Sequence, residues 1–122
     1  MSTFVRKSPV LTGSYALAML ASIDASPAQR VDCGIVRFGC NVRSPATGLH
    51  TNSRHEVAFV LKGKVLIETA DARFEAGVGD CIVGSPAEPH ATTGLEDSVL
   101  FFVLIEPTRA VASDTVTRCA FD

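Results

Sequence analysis

All three histidines of this 122-residue chain fall in two short stretches, "HTNSRHEVAFVLKG" (50–63) and "GDCIVGSPAEPH" (79–90). The first gathers His50, Asn52, His55 and Glu56 and then runs apolar to a glycine; the second ends on His90. Imidazoles and carboxylates bind divalent cations or move protons near neutral pH. Residues 50, 52 and 56 share parity, so in a near-extended segment their side chains share one face, while His55 points the other way. Plainer readings exist for each. His50 is also readable as a surface loop histidine, and Glu56 as a strand-start charge facing water. His90 is harder to dismiss, because the prolines of "SPAEP" (85–89) fix the approach of the chain and a strand begins at His90. His55, with its opposite parity, reads as a rim residue or a hydrogen-bond partner.

These residues need a scaffold, and the rest of the chain predicts strands. Apolar runs of strand length alternate with turn signals, the pattern of an all-β sandwich or barrel. "GIVRFGCNVR" (34–43) alternates, with Val36, Phe38, Cys40 and Val42 on one face. "EVAFVLKG" (56–63) and "KVLIET" (64–69) meet at Gly63, where a tight hairpin is expected. "ARFEAGVGD" (72–80), "CIVG" (81–84), "HATTG" (90–94) and "SVLFFVLIEP" (98–107) follow, for roughly seven strands in all. The alanine, leucine and methionine of "LTGSYALAMLASIDASPAQR" (11–30) favour a short helix near Tyr15 to Ser22, bounded by Gly13 and Pro27. The expected core is Val36, Phe38, Val57, Phe59, Leu61, Leu66, Ile82, Phe101, Val103 and Ile105, buried partly against another subunit.

The length fits one domain over residues 1–122. A net charge of −2 with interspersed signs offers no basic stripe for nucleic acid. The start lacks the apolar core of a secretory signal and no apolar run is long enough to span a membrane, so the expectation is a cytoplasmic protein with no membrane partner. Cys33, Cys40, Cys81 and Cys119 form no C-x-x-C pair and read as reduced, small hydrophobes. "VAFVL" (57–61) and "SVLFFVLI" (98–105) are apolar on both faces. They need cover from both sides, which a homodimer supplies; the alternative is cover by the N-terminal segment.

The two histidine-bearing stretches resemble the motifs of the cupin family. His50-x-Asn52-x3-Glu56-x6-Gly63 is similar to the first motif, G-x5-H-x-H-x(3,4)-E-x6-G, and residues 79–90 to the second, G-D-x-x-x-x-P-x-G-x-x-H. Asn52 stands where the second histidine usually stands, Pro86 falls one place late, Ala87 replaces a glycine, and Gly48 sits two places before His50 rather than six. The resemblance covers about residues 34–107 and leaves 1–33 as an N-terminal extension. It implies a double-stranded β-helix jelly-roll barrel with a short N-terminal helix or extension. It also implies a divalent metal (Fe, Zn, Mn or Ni) on His50, Glu56 and His90, with Asn52 either a weak oxygen ligand or an amide that orients substrate. Arg54 is then a solvated loop charge or a clamp for a substrate carboxylate at the mouth, and Asn52, Arg54 and His55 are the substrate-side residues. Two imidazoles, one carboxylate and open coordination positions suit a non-haem dioxygenase, or a Lewis acid for a lyase or isomerase acting on a small oxygenated or carboxylated molecule. The rival expectation is a non-catalytic barrel that binds or senses a small ligand without a tight metal.

Overall fold

Alternation of apolar and polar residues sends successive side chains to opposite faces of a strand, and two such faces must be buried against each other. The computed structural model describes residues 3–26 and 29–106; Cys119 lies outside them. Among the described residues there are nine strands: β1 (Tyr15–Ser26), β2 (Gln29–Phe38), β3 (Arg43–Ser44), β4 (His55–Lys62), β5 (Lys64–Thr69), β6 (Arg73–Gly77), β7 (Cys81–Gly84), β8 (His90–Gly94) and β9 (Ser98–Ile105). They form a five-stranded sheet in the order β1-β2-β9-β4-β7 and a four-stranded sheet in the order β3-β8-β5-β6, with antiparallel pairing throughout. This is the expected double-sheet jelly roll. Among the described residues no helix is long and apolar enough to cross a membrane.

The helix expected near Tyr15 to Ser22 is instead strand β1. It pairs along its length with β2, from Tyr15 opposite Phe38 to Ser26 opposite Gln29. Those ladder bonds outweigh alanine's weak helical preference. Tyr15, Leu17 and Met19 alternate with Ala16 and Ala18, which is a strand period.

The hairpin expected at Gly63 is a corner. β4 pairs with β7 and β9, whereas β5 pairs with β6 and β8, so the chain leaves one sheet and enters the other at Gly63. Gly63 has φ +82°, a left-handed conformation that glycine adopts at little cost. Ser98, fully buried, sits against this corner: its hydroxyl accepts from the Lys64 amide at 3.0 Å and lies 2.8 Å from the Glu96 carbonyl, to which it can donate.

The core comprises Val36, Phe38, Ala58, Val60, Val65, Ile67, Ala76, Leu100 and Phe102. Val36 and Phe38 are as expected. On β4 and β9 the inward parity is the opposite of the one expected: Phe59 and Leu61 are exposed at 43% and 47%, while Ala58, Val60, Leu100 and Phe102 are buried. Val57, Leu66, Ile82, Phe101, Val103 and Ile105 are half-buried. Both faces of these strands are apolar, so hydrophobicity alone could not choose the inner one.

Candidate functional site

Between the sheets lies a cavity of about 830 Å³, within the range of small-molecule pockets. Its body is apolar, with Tyr15, Leu17, Phe38, Ile67, Phe102 and Leu104 on the walls. Its polar end carries His50, Asn52, Glu56 and His90, so four of the six residues singled out in the sequence line one space.

Backbone pairing builds that end. His50 and His90 form an antiparallel bridge, His50 N donating to the His90 carbonyl at 3.0 Å and His90 N to that of His50 at 2.9 Å. Their ring centres stand 4.8 Å apart. Glu56 enters from β4, and its Oε1 is 3.9 Å from His90 Nε2, too long for a hydrogen bond. His90 Nδ1 lies 3.1 Å from the Glu88 carbonyl. A carbonyl only accepts, so in the neutral ring Nδ1 carries the proton and Nε2 presents a lone pair towards Glu56. In that neutral form two acceptors face one another across a gap.

The stretch from 50 to 54 is a turn rather than an extended run. Asn52 Oδ1 accepts from the Arg54 amide at 2.8 Å, and the Asn52 carbonyl accepts from Ala87 N at 2.7 Å. The Asn52 oxygen is thus committed to holding the turn. Ala87, at the position where the resembled motif has glycine, has φ +65°; the motif's glycine answers a left-handed backbone, which alanine adopts under strain. Donor chemistry at this end suits a divalent ion, but convergence does not. Among the described residues no group of three His, Cys, Asp or Glu stands ready to hold a metal.

Arg54 and His55 are not part of the cavity wall. His55 is exposed and pairs with Ile105 on the parity facing away from the lumen. Arg54 Nη1 donates to Asp32 Oδ2 at 2.6 Å, and its Nε lies 3.7 Å from Glu106 Oε1. Arg30 Nε donates to Asp32 Oδ1 at 3.1 Å. Arg54 thus ties the histidine-bearing loop to β2 and the end of β9. Asp32 went unnoticed in the sequence. Its signal was a charge on the same parity as Val36 and Phe38, the buried face of β2.

The Ser22 hydroxyl, followed by Arg54 and Arg30, holds the Asp32 carboxyl below the usual carboxylate range, against the opposing effect of burial. A carboxylate with a depressed folded pKa adds stability above its unfolded pKa and loses it as pH falls through the folded one. We therefore expect thermal stability to fall from about pH 4 downward, and Asp32→Asn to flatten that acid limb. Melting curves from pH 7 to pH 3 check this; equal acid slopes in the two proteins would refute it.

No protein-family model matches the sequence, and no curated protein matches it. Solved structures do. A cupin superfamily protein from Desulfitobacterium hafniense superposes with a TM-score of 0.67 at 14% identity, over 81% of this chain and 84% of that one. The chain has the cupin fold. The cupin domain of Schizosaccharomyces pombe Cnp3 matches with a TM-score of 0.66 at 14% identity, covering 82% of this chain and 70% of that one. KdgF from Halomonas sp. matches at 0.54 and 20% identity, over 73% and 89%. Identities this low speak to architecture, so the chemistry of this cupin barrel rests on its own residues.

Proposed function

We propose that the barrel binds a small organic molecule with an apolar body and a hydrogen-bond-donating, neutral or cationic head, such as an amine. The carrying observation is the facing pair of acceptors, His90 Nε2 and Glu56 Oε1, 3.9 Å apart at the end of an apolar cavity. A donor between them can reach both at hydrogen-bond distance. The charge of the wall supports the same head group: Glu56, Asp71, Glu75, Asp80 and Glu88 line the cavity, and no Lys or Arg is among its lining residues. An anionic head would meet carboxylates on entry, with no cation to receive it.

The experiment is calorimetric titration with hexylamine and hexanoate, which share a body and differ in head charge. The expected result is saturable amine binding at least tenfold tighter than carboxylate binding, lost in large part in Glu56→Gln. Hexanoate binding as tightly as hexylamine overturns the reading.

The same gap favours a second reading, in which a divalent Fe, Zn, Mn or Ni ion on His50, Glu56 and His90 makes this a metal-dependent oxygenase, lyase or isomerase. Such an ion would supply Lewis-acid or redox chemistry, and the three side chains would have to draw together around it. Titration of metal-free protein separates the two. Tight metal uptake that His90→Ala abolishes, with hexanoate preferred once metal is present, favours the second.

A further inference from the structure

We propose that Asp32 is a positioning residue for the cavity: it holds the Arg54 guanidinium away from the gap between Glu56 and His90 and so sets which head group that gap accepts. The inference deepens the amine reading and rests on it. Pairing across the five-stranded sheet puts Ser22, Asp32, Leu104, Glu56 and Gly84 in one row, since Ser22 lies opposite Asp32, Asp32 and Glu56 both lie opposite Leu104, and Glu56 lies opposite Gly84. Asp32 and Glu56 thus stand level, two strand spacings or roughly 10 Å apart. Asp32 has the inward parity of Val36 and Phe38 and is 4% exposed. Leu104 and Glu56 line the cavity, whereas Asp32 and Arg54 do not.

Two residues further along from this row come Arg30, Glu106 and Arg54, with Glu106 N donating to the Arg30 carbonyl at 3.0 Å. Arg54 precedes Glu56 by two residues, roughly 6.6 Å along an extended chain and within reach of a long side chain. Charge alone would draw its guanidinium to the Glu56 carboxylate, which it would neutralise. It is drawn across β9 instead. Arg54 Nη1 donates to Asp32 Oδ2 at 2.6 Å, and its Nε lies 3.7 Å from Glu106 Oε1. Arg30 Nε, 3.1 Å from Asp32 Oδ1 and 3.2 Å from Ser22 Oγ, takes the other carboxylate oxygen and leaves Oδ2 for Arg54. Among the described residues Glu56 therefore has no Lys or Arg partner, and its carboxylate stays free to meet a ligand's donor beside His90. Selectivity is a difference of two affinities, and taking an anion's partner out of the site raises it as surely as adding contacts to an amine. Asp32 does the former.

The test is calorimetric titration of the full chain with hexylamine and with hexanoate, in the parent, in Asp32→Asn, in Glu106→Gln and in Asp32→Asn combined with Arg54→Gln. Asp32→Asn keeps the shape of the side chain and frees the guanidinium, so hexanoate should bind about tenfold more tightly and hexylamine about tenfold more weakly than in the parent. Adding Arg54→Gln should return hexanoate to its parent affinity. Glu106, whose side chain is 43% exposed, can be changed without unfolding the barrel; Glu106→Gln should move both ligands in the same directions by a smaller factor, and it carries the test if Asp32→Asn does not fold. Weaker binding of both ligands in Asp32→Asn, or hexanoate affinity unchanged in every single variant that folds, overturns the proposal and leaves Asp32 a purely stabilising residue. The amine reading fails by a different result, hexanoate binding the parent as tightly as hexylamine, and the response of hexanoate to the variants still decides the role of Asp32.

Discussion

Gly63→Ala is expected to lower stability by roughly 2–4 kcal/mol, the sum of a left-handed backbone on a residue with a Cβ and a steric overlap. The strain follows from φ +82° at the point where the chain turns from one sheet into the other. The overlap follows from what a Cβ would meet there: the Asp97 carbonyl oxygen and the Ser98 hydroxyl and Cα. The first and last of these are backbone, just before and at the start of β9, which is held between β2 and β4. Backbone so held cannot retreat without disturbing the hydrogen bond from the Lys64 amide to the Ser98 hydroxyl that fixes the corner. Gly48→Ala separates the two causes, since Gly48 has φ +72° and nothing near its missing Cβ; it should cost only about 1 kcal/mol. For a chain of this length the Gly63 variant should melt roughly 10 °C or more below the parent. Equal losses in the two variants would show that the corner is not packed as described.

That corner also shows which parts of the fold were legible in the sequence. The strand lengths and the glycine at 63 were readable, because they follow from alternation and from a turn residue. Which sheet β5 joins was not, since pairing partners are set by contacts far apart in the chain. The misread helix at 15–22 had a two-residue period inside a helix-favouring composition, and local preference is a weaker guide than the ladder β1 makes with β2. On β4 and β9 the inner face could not be read because both faces are apolar. Phe102 is the inward one, and what distinguishes it from Phe101 lies on its neighbours: Gly34 and Ala58, small residues that leave room for a ring.

The site divides in the same way. His50, Asn52, Glu56 and His90, which the sequence singles out by type and spacing, line one cavity. Arg54 looked available for a substrate because its partner, Asp32, lies 22 residues away on another strand. Its pairing with Asp32 and its place outside the cavity lining are why the ligand proposed above is an amine rather than an acid. Ala87 shows a complementary case: the sequence displayed the departure from glycine, and only the backbone angle shows what it strains.

Phe102→Ala carries the largest expected loss, about 3–5 kcal/mol, because it removes a buried ring whose neighbours cannot close the gap. Phe102 is 5% exposed at the centre of β9, and the Gly34 and Ala58 that make room for it have no side chains long enough to fill the void it would leave. A Cβ added at Gly34 would fall 2.6 Å from the Phe102 ring, which is how closely that strand already approaches. The ring is also a wall of the cavity, so the void would open onto the space that the proposed ligand's apolar body would fill. Loss of stability and change of specificity should therefore come together. In Phe102→Ala, an amine with a bulkier hydrocarbon body should bind more tightly than hexylamine and recover part of the lost melting temperature, the recovery rising with the logarithm of ligand concentration above the Kd, as binding to the folded state requires. In the parent the same bulky amine should bind more weakly than hexylamine. Thermal melts of both proteins against both amines decide it. If the variant loses stability but its ranking of the two amines stays that of the parent, the ring supports the core without shaping the ligand space, and the binding site lies nearer the histidine end than the cavity's full extent implies.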